Sequence, residues 1–396
     1  MKNICDRDRC TGCMACINTC NQNAIICVED SEGFLYPYIR EESCIRCGKC
    51  YSVCPHNKAV EREFLNKTKC LAGWNRNQKQ RKISSSGGVF AAISDYIIQS
   101  GGVVFGAAFS KDYSVNHIMI DTIQGLPLLQ GSKYVQSQIN DTYRQCSRML
   151  ATGRKVLFTG TPCQIDGLYA FLGDRSKDYL YTIDILCHGV PSYKTIRSYL
   201  DSIESTYKSK INKFSFRNKK TIRGWEHSCT LEITLDDGRK ITGYKEDIYF
   251  WEGFLRNIFL RKCCYKCEYA GKERVGDITI GDFWGIQNVA KDEKINGVSF
   301  ILCNSEKGNE LLKRANIATE SRLIKEAIPQ NRTLEKPFTQ GPGREEFFRD
   351  MCTYGFRRAV ENNNPERMKK LKVRAGLQSI LGDDIYQTMK KILHRR

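Results

Sequence analysis

The chain has 396 residues, 41% of them hydrophobic and 27% charged, enough for two or three domains with a sizeable core. Its formal charge is +18 and it holds 20 cysteines. "MKNICDRDRC" has no apolar leader, and the most apolar stretch, "GGVFAAISDYIIQSGGVVFGAAF", is broken by Asp95, Gln99, Ser100 and a glycine pair, so a secreted disulfide scaffold and a membrane span are excluded and a cytoplasmic protein is expected.

The first informative segment is "CTGCMACINTC", residues 10–20, where Cys10, Cys13, Cys16 and Cys20 are separated by two, two and three residues. Residues 44–55, "CIRCGKCYSVCP", repeat the spacing with Cys44, Cys47, Cys50 and Cys54 and close on Pro55. This is the bacterial two-cluster ferredoxin pattern, in which the fourth cysteine of each run serves the other cluster. Three thiolates on one tight loop reach three irons of a cubane, and the fourth iron is met from elsewhere. The first 4Fe–4S site is therefore Cys10, Cys13, Cys16 and Cys54, and the second is Cys44, Cys47, Cys50 and Cys20. Asn21 stands where the pattern would have a second proline, which leaves the ligand count intact. Structural zinc favours four ligands in two separated pairs, which two evenly spaced triplets fit poorly. Between the runs, "AIICVEDSEGFLYPYI" reads as a β-hairpin turning at "DSEG". Cys5 and Cys27 fall outside both runs and read as small buried hydrophobes.

From Lys67 strands and helices alternate. "KCLAGWN" reads as a strand, "QKQRKISSSGG" as a polar loop, "GVFAAISDYIIQSG" as a helix with a glycine stop and "VVFGAAF" as a buried strand. "DTYRQCSRMLATG" is a helix, "KVLFTG" a strand, "QIDGLYAFLG" a helix, "YLYTIDILC" a strand and "SYKTIRSYLDSIESTY" a helix. The alternation predicts an α/β domain with a largely parallel sheet. "HSCTLEITLDDGRKITGY" reads as a hairpin around "DDG". The chain ends in basic helical segments from Pro365, "ERMKKLKVRAG" and "IYQTMKKILHRR", read as a solvated helix face. The boundaries are a ferredoxin-like α+β domain over 1–66, an α/β domain over 67–350 and a basic helical tail over 351–396.

Cys163, in "VLFTGTPCQ", follows a strand and opens a helix, and Cys187, in "IDILCHGVPS", ends another strand. Ligands gather at the carboxyl ends of strands in an open parallel sheet, so both thiols face one edge. "CCYKCEYA" adds Cys264 and Cys267. One plus one plus two suggests a third 4Fe–4S site from Cys163, Cys187, Cys264 and Cys267, with Cys263 able to replace Cys264. The competing readings are a core role for each cysteine and, for Cys163, a nucleophile, although no partnered His and Asn are evident. Cys70, Cys146, Cys229, Cys303 and Cys352 read as core. Each cluster carries about −2 when oxidised, so three bring +18 to roughly +12. That balance suits acidic electron carriers or anionic cofactors, and no nucleic acid is expected.

"SSSGGVF", residues 84–90, puts serines and glycines before a helix, where main-chain N–H groups can meet an anion; a simple N-cap by Ser86 is the alternative. "QGSKYVQS" places Lys133 beside a glycine and an aromatic ring, able to meet a phosphate or a flavin, or to be an ordinary loop. Asp282 and Trp284, in "GDFWG", line the flavin, support the third cluster or simply pack.

The ordered segments "SSSGGVFAAI", "GSKYVQS", "GTPCQIDGL", "DILCHGVPS", "FRNKKTIRGW", "CYKCEYA" and "DITIGDFWG" resemble the motif series of the coenzyme F420 hydrogenase/dehydrogenase beta-subunit family over about residues 1–350. The resemblance implies an iron–sulfur flavoprotein that binds FAD. It matches the family's cluster cysteines to Cys163, Cys187, Cys264 and Cys267. Its flavin and substrate region matches Ser85, Ser86, Gly87 and Gly88 and, further on, Ser132, Lys133 and Tyr134. The expected activity is an oxidoreductase moving electrons between a hydride carrier at FAD, such as a deazaflavin or a nicotinamide, and one-electron carriers through three 4Fe–4S clusters. The alternative is an electron-transfer subunit with no small substrate of its own. A ferredoxin-type carrier or a partner oxidoreductase subunit is the expected partner.

Overall fold

The computed structural model describes residues 4–57, 68–219, 224–227, 229–243, 245–382 and 385–386. The boundary at 66/67 and the "IYQTMKKILHRR" segment fall largely outside these.

The N-terminal domain is two short helices, Ala15–Thr19 and Lys49–Ser52, around a hairpin of β1 (Ile25–Glu29) and β2 (Leu35–Ile39). The strands pair antiparallel, with Ile25 opposite Ile39 and Glu29 opposite Leu35. Asp30 sets the turn, its Oδ1 accepting from the main-chain N–H of Glu32 at 3.0 Å and of Phe34 at 2.8 Å.

The second domain is built on eight strands: β3 (Lys69–Asn75), β4 (Val103–Phe109), β5 (Val115–Ile120), β6 (Val156–Gly160), β7 (Leu180–Ile185), and, after β8 (Ile211–Ser215), β9 (Glu232–Leu235) and β10 (Lys240–Thr242), the strands β11 (Ile278–Asp282), β12 (Ser299–Cys303) and β13 (Ile317–Ser321). The large sheet runs β13-β3-β12-β11-β7-β6-β4-β5, and β10-β9-β8 form a separate antiparallel sheet with the "DDG" hairpin where it was expected. The sheet is mixed, which corrects the expectation of a largely parallel one. Only β4, β6, β7 and β11 are mutually parallel; β5 on one side and β12, β3 and β13 on the other run antiparallel to their neighbours. Parallel neighbours need a long crossover, which helix Pro162–Leu172 supplies between β6 and β7, whereas β4 and β5 are joined by a short turn.

Both faces of the sheet are covered. Val104 and Leu157 pack with helix Val89–Gln99 on one face, while Val103, Phe105, Val156 and Phe158 pack with helices Thr142–Ala151 and Pro162–Leu172 on the other. That period-two division of continuous apolar runs is what a two-sided sheet requires. Each large side chain so buried stabilises the fold by about 1.5–3 kcal/mol.

Three other expectations are corrected. Residues Gln78–Ile83 form a helix, capped by the Asn77 side chain, where a loop was expected. The segment after 350 is no separate tail: Phe356, Ala359, Val360 and Met368 sit in one core with Tyr199, Phe250 and Phe259. Cys70, Cys146 and Cys303 are buried as expected, but Cys27, Cys229 and Cys352 are exposed.

The N-terminal domain is fastened by arginines of the larger one. Arg144 donates to the carbonyls of Asn18 at 2.6 Å, Ile17 at 3.1 Å and Cys20 at 2.7 Å, satisfying the C-terminal end of helix Ala15–Thr19. Arg344, 1% exposed in its side chain, grips the Glu32 carboxylate with both terminal nitrogens.

Candidate metal centres

The two cysteine loops share a conformation. Gly12 and Met14 in the first, and Arg46 and Gly48 in the second, all have positive φ at equivalent positions. Left-handed backbone is costly for Met14 and Arg46, and repeating it in both loops marks a shape imposed by what the loops enclose. Cys10, Cys13, Cys16 and Cys54 line one small apolar cavity together with Cys5, Pro37 and His56. Cys54 arrives there from the second run, just after helix Lys49–Ser52. Cys5 packs against this cluster, and its thiol is the largest cause lowering the pKa of Cys10 and Cys54. Burial instead pushes Cys13 up to about 12 and raises Cys16.

Cys44 and Cys47 lie within electrostatic reach of Cys50, and Cys20, at the end of helix Ala15–Thr19, joins Cys50 and Val53 in one apolar cluster. Among the described residues no group of three or more His, Cys, Asp or Glu side chains is set to hold a single metal ion.

The third group assembles at the carboxyl edge of adjacent parallel strands. Cys163 is the second residue of helix Pro162–Leu172, behind the Thr161 capping box, and the Thr161 hydroxyl lies 3.1 Å from its Sγ. Cys187 follows β7, and Cys264 and Cys267 come from the turn after Arg261. Burial raises Cys163 most, and Cys187, Cys267 and Cys264 add to it; the same order holds for Cys187, where Cys264 and Cys267 follow burial. The buried Cys263 hydrogen-bonds Cys264 and stands beside this group.

The first and third groups are neighbours. A Cβ on Gly167 would sit 2.9 Å from Cys13 Cβ and 3.0 Å from its Sγ, so helix Pro162–Leu172 touches the first loop. Tyr269 and Tyr143 both lie in reach of Cys13 and Cys163, and Tyr269 donates to Asp166 Oδ2 at 2.8 Å. The surroundings of the third group suit an anionic one. Arg274 pairs with Asp184 at 3.1 Å, yet its buried Nε has no hydrogen-bond partner and its charge reaches Cys187 and Cys267.

The residues foreseen for a flavin are placed differently from expectation. The Lys133 ammonium donates to the carbonyls of Leu129 at 3.0 Å, Gln130 at 2.8 Å and Gly131 at 3.1 Å, and burial lowers its pKa to about 7. Ser86 donates to Val298 O and Gly87 N–H to Ser299 Oγ, both at 3.0 Å. The helix cap is Gly88, not Ser86. Ser85 Oγ accepts from Ser132 N–H at 2.7 Å. These segments meet at a corner that single motifs did not reveal. Arg217 donates to Asp282 at 3.0 Å, to Tyr134 Oη at 3.3 Å and to Ser85 O at 3.2 Å, and lies over Trp284. Trp225 donates to Asp282 at 2.8 Å and stacks on Trp284, with centroids 4.8 Å apart.

Residues 9–58 match the 4Fe-4S dicluster domain, and residues 153–327 match the family described as the C-terminal part of the coenzyme F420 hydrogenase/dehydrogenase beta subunit. Residues 153–327 thus carry the C-terminal part of that beta-subunit family, behind a dicluster domain. The family match takes in Cys163, Cys187, Cys264, Cys267, Arg217 and Asp282, and the segments at 85–88 and 132–134 lie before it. No curated protein matches the chain. Among solved structures, a chain of the F420-reducing [NiFe] hydrogenase complex from Methanosarcina barkeri is 16% identical over 80% of this chain and 94% of that one, with a TM-score of 0.45. No helix among the described residues is long and apolar enough to cross a membrane.

Proposed function

We propose that the protein is an iron–sulfur oxidoreductase subunit holding three 4Fe–4S clusters, on Cys10, Cys13, Cys16 and Cys54, on Cys44, Cys47, Cys50 and Cys20, and on Cys163, Cys187, Cys264 and Cys267. The observation that supports the reading most is the packing of helix Pro162–Leu172, which carries Cys163, against Cys13 of the first group at Gly167, as a path between the two domains requires. Such clusters supply one-electron transfer when bound. The chain's own residues enclose the thiols of the first and third groups and leave Cys47 of the second exposed, orient Cys163 by the Thr161 hydroxyl and set Arg274 beside Cys187 and Cys267. A ferredoxin-type carrier or a partner oxidoreductase subunit would complete the circuit.

The corner of Tyr134, Arg217, Trp225, Asp282 and Trp284 supports a second element of the proposal, FAD with coenzyme F420 or a nicotinamide as hydride carrier. Its indole rings and guanidinium are of the kind that lie against a flat, electron-accepting ring, although Trp225 is buried on Trp284 and Arg217 is bound to Asp282. The donors of Lys133 and Gly87 are already engaged, so they do not fit a phosphate cradle.

Anaerobic preparation followed by iron and flavin assay tests both parts. About twelve irons per chain are expected, four for each cubane. Cys187→Ala should remove only the third centre, and Cys54→Ala should damage the N-terminal half. A colourless, zinc-loaded protein would sink the whole reading, and an iron-replete protein without flavin would remove the second element alone.

A further inference from the structure

Arg261 is 0% exposed. It enters the N-terminal domain from the turn that carries Cys263 and Cys264. Its Nε donates to Cys10 O at 2.8 Å, Nη1 to Gln136 Oε1 at 2.9 Å and Nη2 to Leu35 O at 3.1 Å; among the described residues none of its partners is a carboxylate. Nη2 also lies 3.8 Å from Cys10 Sγ. Its guanidinium faces the rings of Tyr36 at 4.2 Å and Phe34 at 5.5 Å.

A buried cation costs several kcal/mol unless an opposite charge compensates it. Two carbonyls, one amide oxygen and two rings satisfy its hydrogens without supplying that charge. Arg274, close to the third cysteine group, has its aspartate; Arg261 has Cys10 Sγ of the first group at 3.8 Å and lies within electrostatic reach of Cys263 and Cys264, beside or within the third. The space is kept for it. Gly12 has φ +68°, and a Cβ there would sit 2.6 Å from Gln136 Nε2 and 3.2 Å from Arg261 Nη1. Gln136 in turn donates to Thr11 O at 2.9 Å, so the guanidinium and the amide together clamp the first loop.

We propose that Arg261 is a counter-cation shared by the first and third 4Fe–4S centres, a positioning residue that clamps the Cys10 loop at the domain junction and raises the reduction potential of both centres. The inference rests on the cluster reading above. Reduction adds negative charge to a cluster, and a fixed cation nearby favours the reduced form.

The test is an EPR-monitored redox titration of anaerobically prepared holoprotein, with iron counted on the same samples. Arg261→Met should keep its iron and shift the reduction equilibrium of the first and third centres at least tenfold toward the oxidised form, about 59 mV for one electron. The second centre is the internal control and should keep its potential. Arg261→Lys should recover most of the shift. Full iron with unchanged potentials in Arg261→Met would overturn the proposal. If that variant sheds iron, Arg261→Lys decides: iron retained near the parent potentials supports the role of charge, and iron lost there too overturns it in favour of a purely steric clamp. A parent protein without cluster signals would instead defeat the cluster reading itself.

Discussion

Replacing Gly167 with alanine asks whether the two domains are packed to contact through their cysteines. Gly167 is buried inside helix Pro162–Leu172, four positions after Cys163. The new methyl would lie 2.9 Å from Cys13 Cβ, 3.0 Å from Cys13 Sγ and 3.0 Å from Tyr143 Oη. Carbon contacts are comfortable at about 3.5–4.0 Å, so something must move by roughly half an ångström or more. Tyr143 is poorly placed to yield: it is 0% exposed and its hydroxyl donates to Gln164 O at 2.6 Å. The Cys13 loop is therefore the part that shifts. Overpacking of this kind costs about 1–3 kcal/mol, and alanine's better helix propensity offsets about 1 kcal/mol. The net global loss is about 0–2 kcal/mol, which in a chain of 396 residues moves the thermal midpoint by only about 0–2 °C. On the proposed ligand set the local effect is larger, because displacing Cys13 loosens a whole cubane. Gly376→Ala is the control: it lies in helix Pro365–Leu381 with nothing within 4 Å of its added methyl, and it should gain up to about 1 kcal/mol. Iron per chain and the thermal midpoint of anaerobic holoprotein are the readouts. Gly167→Ala should lose up to about four irons while Gly376→Ala keeps them all. Equal iron and equal midpoints in the two variants would refute the reasoning.

His117 is 3% exposed, with Nε2 2.9 Å from Thr159 O and Nδ1 2.7 Å from Ser137 Oγ, and burial lowers its pKa from 6.5 to about 4. Between about pH 6.5 and 4 the unfolded chain takes a proton that the folded one refuses, so stability falls as pH falls through that window, by up to about 3 kcal/mol from this group. Denaturant unfolding across pH should show a shallower acid slope in His117→Gln, and an unchanged slope would count against a neutral buried imidazole. Glu32→Ala leaves the Arg344 guanidinium buried on neutral partners, Leu260 O at 3.0 Å and Tyr265, and should destabilise by about 3–5 kcal/mol. Adding Arg344→Met should recover much of that loss, and a double variant no better than the single one would show that the pair is not what fastens the hairpin.

Local pattern made the cysteine runs, the first hairpin, the "DDG" hairpin and most strands and helices legible, because ligand spacing on a tight loop and apolar periodicity are properties of neighbouring residues. β3 falls on Lys69–Asn75 and β4 on Val103–Phe109, as their apolar runs imply. The helix Gln78–Ile83 was missed because its charged and polar composition hid a one-residue signal, the Asn77 cap. The mixed sheet was missed because alternation of elements reports crossovers and says little about the edge strands, whose direction follows from short turns and late chain returns.

What the sequence alone determined is the inventory: a two-cluster cysteine pattern, an α/β domain behind it and four further cysteines at strand ends and turns. Tertiary structure decided which groups face each other. It turned Lys133 into three carbonyls, gathered Tyr134, Arg217, Trp225, Asp282 and Trp284 from three separate segments, and brought Arg261 to Cys10 across 251 positions of chain. In sequence Arg261 is half of an ordinary basic pair before a cysteine pair. Its meaning comes from burial without a carboxylate, and burial depends on every segment that packs around it, so no local window of sequence could carry it.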